Sequence, residues 1–174
     1  LAEADIVFAG WGMPLFNEEV LDAAENLKII FYAGGTMRYC LTEDVWERGI
    51  RVTNAVEANA VPVSEYTLGQ ILFSLKCGWQ HTRLVNEFRT FHCKGEVPGA
   101  YHSTVGIISL GAIGRLVCKR LKHFDVNVIA YDPLVSQSDA EDLGVRLCGL
   151  DELFEQSDVI SLHAPAIEQT QGMI

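Results

Sequence analysis

The residues that most clearly indicate a binding site are two glycines, Gly111 and Gly114, which follow a short apolar run. Residues 104–109, TVGIIS, have the length and composition of a strand that is buried on both faces. Glycines at the turn after such a strand let a phosphate group approach the backbone, and the helix that follows offers free N–H groups to it. The helical spacing of apolar residues over 113–124 supports such a helix. This turn therefore predicts a pyrophosphate site.

The turn matches the dinucleotide fingerprint G-x-G-x-x-G except at its first position, where Ser109 stands. A serine with a negative φ can be accommodated there, but we expect its side chain to lie near the pyrophosphate and weaken binding. The competing interpretation is that its hydroxyl donates a useful hydrogen bond to phosphate. The residues expected to bind the pyrophosphate are Leu110, Gly111, Ala112, Ile113 and Gly114.

An acidic residue, Asp132, ends the next predicted strand, VNVIAY at 126–131, about 20 residues beyond the glycines, where a carboxylate can accept the ribose hydroxyls. It would repel the 2′-phosphate of NADP, and no arginine follows immediately, so we predict NAD as the cofactor. Two simpler interpretations stay open. The glycines would then only form the tight turn of an ordinary βαβ unit, and Asp132 would only cap a turn, because Asp-Pro often starts one.

Strand and helix patterns alternate along the chain, which predicts the α/β class, with two α/β units flanking one long helix. The predicted strands are 5–9, 27–32, 51–53, 104–109, 126–131, 145–148 and 158–162. The predicted helices are 18–25, 42–48, a long one from Pro62 to about Phe88, 113–124 and 150–156.

The composition limits the class of partner. With a net charge of −10, this chain is not expected to bind nucleic acid, because binding a phosphate backbone relies on clustered Lys and Arg. The apolar stretch from Ala55 to Trp79 contains three charged residues, so no membrane span is expected. The five cysteines form no CxxC pair, which predicts neither a disulfide framework nor a metal site and favours reduced thiols in the cytoplasm.

Several segments, in order and in register, resemble the D-isomer-specific 2-hydroxyacid dehydrogenases, which include phosphoglycerate, glycerate and D-lactate dehydrogenases. They are LKIIFYAGGTM with RGIRVTN, ANAVPVSEYTLGQILFSLK, TVGIISLGAIGRLV with VIAYDP, and LDELFEQSDVISLHAPAIEQTQGMI. The resemblance implies a partial flavodoxin-like substrate domain (1–60), an interdomain hinge and long helix (61–100), and the first half of a Rossmann NAD-binding domain (101–174). It also implies a homodimer.

The resemblance implies an NAD-dependent oxidoreductase acting on CH-OH donors, which interconverts a D-2-hydroxy acid and a 2-oxo acid. Backbone amides of a loop would bind the substrate carboxylate, although the family usually has glycine at Thr36 and an acid at Arg38. The matching loop residues are Gly34, Gly35 and Thr36. The residues that match the loop beside the nicotinamide half of NAD are His163, Ala164, Pro165 and Thr170. His163 taken alone is also typical of a structural hydrogen-bonding histidine.

The family's catalytic arginine and acid–histidine pair would lie downstream of Ile174, so we expect no catalytic residue in this chain. We expect an internal fragment that lacks both ends and is inactive alone. The histidines not expected to substitute are His81, His92, His102 and His123. Two alternative functions remain: a non-enzymatic NAD(H)-sensing protein of the corepressor type, which binds partner peptides, and an oligomerisation scaffold that binds no nucleotide.

Overall fold

The computed structural model describes residues 1–90 and 95–174; His92 and Cys93, considered above, lie outside the described residues. The described chain forms two compact units, Leu1–Val61 and Pro62–Ile174. The predicted α/β class is confirmed, since parallel strands alternate with helices in both units. No helix among the described residues is long and apolar enough to cross a membrane.

The first unit is a three-stranded parallel sheet with two short helices. In chain order its elements are β1 (Ile6–Ala9), α1 (Glu18–Asp22), β2 (Ile29–Tyr32), α2 (Glu43–Glu47) and β3 (Arg51–Asn54), and the strand order is β1-β2-β3. Alternate residues of β2 are buried, because Ile30 and Tyr32 pack in a core with Leu21 of α1 and Val45 of α2. The other face is more open, and the exposed Phe8 stacks there on Phe31.

The prediction of one long helix from Pro62 to Phe88 is wrong, because two helices occupy this region. They are α3 (Val56–Leu75) and α4 (Gly78–Phe88). The first begins before Pro62, with the Asn54 side chain accepting a hydrogen bond from the Val56 N–H group. The helical conformation is interrupted between them at Cys77, whose φ is 52°.

The second unit is a four-stranded parallel sheet with the order β6-β5-β4-β7. Its strands are β4 (Thr104–Ile108), β5 (Asn127–Tyr131), β6 (Arg146–Leu147) and β7 (Val159–Leu162). Its helices, after α4, are α5 (Ala112–Leu121), α6 (Gln137–Leu143) and α7 (Leu150–Gln156), and a 3₁₀ turn covers Glu168–Thr170. The α6 helix was not predicted.

Strand β4 is buried on both faces, as its apolar composition predicts. Ile107 packs in a core with α5 residues such as Val117 and Leu121, whereas the neighbouring Ile108 packs with Leu153 of α7 on the opposite side. From β4 the chain runs outward to β5 and β6 and then returns to the other side of β4 as β7. The loops after β4 and β7 therefore diverge at the carboxyl ends of the strands, which is where open α/β sheets bind ligands.

Candidate dinucleotide-binding site

The two glycines of the turn after β4 differ in their surroundings. A Cβ atom at Gly114 would lie 2.1 Å from the backbone oxygen of Ser109, so the protein's own backbone requires glycine there. A Cβ atom at Gly111 would have nothing within 4 Å, although this residue has an ordinary negative φ of −72°. The open space at Gly111 is what a ligand that approaches the backbone closely would need.

Ser109 does not adopt the negative φ with which a serine can be accommodated at this turn, because the angle is 76°. The Ser109 N–H group donates to the Tyr131 carbonyl at 2.8 Å, which extends the pairing of β4 with β5 by one residue. The chain must then reverse before α5 begins at Ala112, and the left-handed conformation provides that reversal. The Ser109 hydroxyl lies 3.5 Å from Oδ2 of Asp132.

The N-terminus of α5 has no side-chain cap, because the N-cap residue is Gly111. The first N–H groups of this helix are therefore open to a ligand, and the helix dipole makes them attractive to an anion. Lys119 and Arg120 lie in the last turn, where positive charge complements the other end of the dipole.

Asp132 is half-buried and both its carboxylate oxygens accept backbone hydrogen bonds. Oδ1 accepts from the Leu134 N–H group at 2.9 Å, which is the turn cap that Asp-Pro suggests. Oδ2 accepts from the Leu110 N–H group at 2.7 Å and so links the end of β5 to the glycine turn. A carboxylate oxygen has two lone pairs, so Oδ1 still has room for a ribose hydroxyl. Oδ2 can accept one as well if the Ser109 hydroxyl, at 3.5 Å, turns away from it.

The loop after β7 is held by its own hydrogen bonds. The His163 N–H group donates to the Ile108 carbonyl at 2.9 Å, which continues the pairing of β7 with β4. Its Nε2 atom lies 3.0 Å from the Ser161 hydroxyl, and burial lowers the pKa of His163 below its ordinary value. The Thr170 hydroxyl accepts from the Ile167 N–H group at 3.1 Å and contacts the Pro165 carbonyl.

Three cavities share this loop in their lining, and two of them also reach the glycine turn or helix α5. The first, of about 490 Å³, lies at the carboxyl ends of β4 and β5 and has a largely apolar lining. Its lining includes Ser109, Tyr131, Asp132, Leu134, Ala164, Pro165, Ile167 and Thr170. The second, of about 520 Å³, lies between α3 and β7 and includes Ile113, His163 and Ala164. The first cavity, the uncapped helix and the open space at Gly111 fit a dinucleotide, since small-molecule sites have volumes of about 300–1,000 Å³.

The predicted substrate loop follows β2 in the first unit. Gly34 is buried, Gly35 is half-buried and Thr36 is exposed. The Gly34 carbonyl accepts from the Ala55 N–H group at 3.0 Å, whereas the N–H groups of Gly34 and Gly35 donate to no backbone carbonyl within the described chain. Arg38 lines a cavity of about 480 Å³ together with Thr36 and Asn54. The loop thus has free donors on a fixed backbone.

Some residues of the site were missed from the sequence. Tyr131 and Leu134 line the first cavity. In the sequence Tyr131 looks like any strand residue and Leu134 like any exposed leucine, so neither indicates a binding role. Ser161 could have been found, because residues two apart on a strand share a face and Ser161 therefore lies beside His163. In residues 1–90 and 95–174, no cluster of three or more His, Cys, Asp or Glu side chains could hold a metal ion.

Comparison with known proteins gives the same family from sequence and structure. Residues 74–174 match the model of the D-isomer specific 2-hydroxyacid dehydrogenase NAD binding domain. The D-3-phosphoglycerate dehydrogenase of Archaeoglobus fulgidus is 38% identical over 158 residues, which are 91% of this chain and 30% of that protein. The hydroxypyruvate reductase of Thermotoga maritima is 35% identical over 90% of this chain and 50% of its own length.

Among solved structures, D-lactate dehydrogenase from Aquifex aeolicus, complexed with NAD and lactic acid, superposes with a TM-score of 0.80 at 28% identity. The match covers 99% of this chain and 52% of that one. The chain therefore spans between about a third and about half of the length of these relatives. It belongs to the D-isomer specific 2-hydroxyacid dehydrogenase family and includes sequence of that family's NAD binding domain.

Proposed function

We propose that this chain is the cofactor-holding core of an NAD-dependent oxidoreductase that interconverts a D-2-hydroxy acid and a 2-oxo acid. The observation that carries the proposal is the glycine turn at the reversal of strand order, with Asp132 hydrogen-bonded to it. The relatives named as D-3-phosphoglycerate dehydrogenase, hydroxypyruvate reductase and D-lactate dehydrogenase support the substrate class.

In this proposal the turn 110–114 binds the pyrophosphate of NAD through the N–H groups at the start of α5. Asp132 accepts the ribose hydroxyls on its remaining lone pairs. The residues of the loop after β7 that would lie along the cofactor are His163, Ala164, Pro165 and Thr170. Bound NAD supplies the nicotinamide ring that exchanges hydride with the substrate, while the chain orients the cofactor.

The substrate is proposed to bind by its carboxylate to the N–H groups of Gly34, Gly35 and Thr36. Two observations support this role: the N–H groups of Gly34 and Gly35 donate to no backbone carbonyl within the described chain, and the Gly34 carbonyl is held by the Ala55 N–H group. We assign no proton-transferring residue to this chain, and therefore expect it to bind NAD without turnover by itself.

The proposed organisation is a partial substrate domain at 1–60, a hinge and long helical segment at 61–100 and a partial NAD-binding domain at 101–174. We place the protein in the cytoplasm, because its five cysteines are odd in number and form no CxxC pair, which favours reduced thiols. We also propose a homodimer that binds a small 2-hydroxy or 2-oxo acid, with no nucleic-acid or membrane partner.

Cofactor titration tests the proposal. We expect calorimetry to show that NAD⁺ binds at least about tenfold more tightly than NADP⁺, since a charged phosphate beside a carboxylate costs more than about 1.4 kcal/mol. Asp132→Ala should reduce that ratio, because it removes the charge that repels the 2′-phosphate. It also frees the Leu110 N–H group, so the affinity for both cofactors should fall.

Two variants sharpen the test. Asp132→Asn keeps an acceptor for Leu110 and removes only the charge, so it should lower the ratio with a smaller loss of NAD⁺ affinity. Asp139→Ala removes an exposed carboxylate elsewhere in the same unit and should leave the ratio unchanged. Equal affinity of the unmodified protein for the two cofactors would refute the proposal.

A further inference from the structure

Two tyrosines lie beneath the predicted substrate loop and join its two sides. Tyr32 is the last residue of β2, directly before the loop, and is 2% exposed. Tyr39 follows the loop and is 54% exposed. Their hydroxyl oxygens are 2.7 Å apart, so the two side chains are joined by a hydrogen bond.

The ring of Tyr32 forms the floor under Gly34. A Cβ atom at Gly34 would lie 2.6 Å from Cε1 and 3.0 Å from Cζ of this ring. The backbone of the loop therefore rests directly on the ring, and any rotation of the ring would move Gly34. On the other side, a Cβ atom at Gly35 would lie 3.4 Å from the amide nitrogen of the Asn59 side chain, so space is limited there as well.

The hydroxyl of Tyr39 holds the Tyr32 ring in position through their hydrogen bond. A buried tyrosine normally needs a partner for its hydroxyl, and the partner of Tyr32 is Tyr39. The hydrogen bond to Tyr32 is the main reason why the pKa of Tyr39 lies above its ordinary value, followed by burial and the nearby Cys40 thiol. The Tyr39 phenol therefore stays neutral over the physiological pH range.

We propose that Tyr39 is a positioning residue for substrate binding, which acts by locking the Tyr32 ring under Gly34 and Gly35. A fixed ring keeps the free N–H groups of these glycines aligned for the carboxylate of a 2-hydroxy or 2-oxo acid. The inference rests on the proposed function, because it takes residues 34–36 as the substrate loop.

The test compares Tyr39→Phe, Tyr32→Phe and the double variant, each of which removes the same hydrogen bond and retains the rings. Tyr101→Phe is the control, since Tyr101 is 70% exposed, lies in the other unit and has its ring against the His102 ring. The first measurement is amide hydrogen exchange by NMR at Ala55, whose N–H group donates to the Gly34 carbonyl. The second is steady-state kinetics of the complete gene product with its best 2-oxo acid.

We expect exchange at Ala55 to accelerate by about fivefold in each single variant, because a net hydrogen bond is worth about 1 kcal/mol. The double variant should show no further change, since both substitutions remove one bond. KM should rise about fivefold while kcat stays within about twofold, which distinguishes lost substrate binding from a general loss of structure.

The two measurements separate the possible failures. Unchanged exchange in Tyr39→Phe overturns the inference whatever the activity. Faster exchange with an unchanged KM also overturns it, because the loop would then not bind substrate. If the complete gene product without substitutions reduces no 2-oxo acid, the proposed function fails, and the substrate role of Tyr39 fails with it.

Discussion

Ser109 has a backbone conformation that most side chains avoid. Its φ of 76° costs a non-glycine residue on the order of 1–2 kcal/mol, because Cβ approaches the following carbonyl oxygen. Glycine takes this conformation freely but loses about 0.5–1 kcal/mol through the entropy of the unfolded chain. We therefore predict that Ser109→Gly raises the free energy of unfolding by about 0.5–1 kcal/mol, measured by urea denaturation.

Ser109→Ala separates the effect of Cβ from that of the hydroxyl. It keeps the strained Cβ and so should bring no gain in stability, and NAD binding should stay close to that of the unmodified protein. Ser109→Gly should tighten NAD binding by several-fold in calorimetry, because it clears the path of the pyrophosphate. Weaker binding in both variants would instead mean that the hydroxyl donates to phosphate.

The sequence predicts the position of Asp132 but only part of its bonding. The Asp-Pro pair indicates the turn cap to Leu134, because that bond is local. The bond to Leu110 joins residues 22 apart in the chain and depends on how closely two loops approach in the folded unit. The sequence likewise indicates a functional role for both Gly111 and Gly114. It does not show that a Cβ atom would clash with the protein's own backbone only at Gly114.

At the scale of elements, two helical glycines, Gly69 in α3 and Gly78 at the start of α4, differ in the space available for a side chain. A Cβ atom at Gly78 would lie 2.4 Å from the ring of Phe73, which packs edge-on against Trp79. We predict that Gly78→Ala lowers the free energy of unfolding by about 1–3 kcal/mol, the usual cost of overpacking. Thermal or urea denaturation at one protein concentration measures it.

The matched control is Gly69→Ala in α3. This glycine is exposed, and a Cβ atom there would have nothing within 4 Å. The substitution should therefore raise the free energy of unfolding by about 0.5–1 kcal/mol, since alanine is the better helix former. A neutral or stabilising Gly78→Ala would show that the Phe73 ring moves aside at no cost.

Periodicity and composition predict the elements whose signal is local. The apolar run of β4 indicates burial on both faces, and the same reasoning predicts α7 with the bounds observed. The break at Cys77 has no such signal, because cysteine is not a residue type that favours the left-handed conformation found there. Helix α6 did carry one: Ser136 caps its start and Gly144 ends it in the left-handed conformation.

At the scale of the whole molecule, each unit has a hydrophobic core of its own. The sequence predicts this organisation because the strand–helix alternation restarts after the helical region. It cannot predict which apolar surfaces stay exposed, because an exposed and a buried leucine or phenylalanine look alike in a sequence.

The helices α3 and α4 expose several large apolar side chains of the second unit: Phe73, Trp79, Val85 and Phe88. Exposed apolar patches of this kind mark association surfaces. We therefore predict a dimer in sedimentation velocity, and weaker association in Val85→Glu. Burying a valine side chain is worth about 1.5–3 kcal/mol, so the dissociation constant should rise at least about tenfold.

Gln80→Glu is the control for the added charge, because Gln80 is exposed on the face of α4 that also carries Arg83 and Glu87. It should leave the dissociation constant unchanged, and circular dichroism should show that both variants keep the helical content of the unmodified protein. If the unmodified protein sediments as a folded monomer at tens of micromolar, the exposed apolar faces of α3 and α4 do not drive self-association. An equal effect of both variants would place the cause in net charge, since long-range repulsion acts on the whole molecule rather than on one helix face.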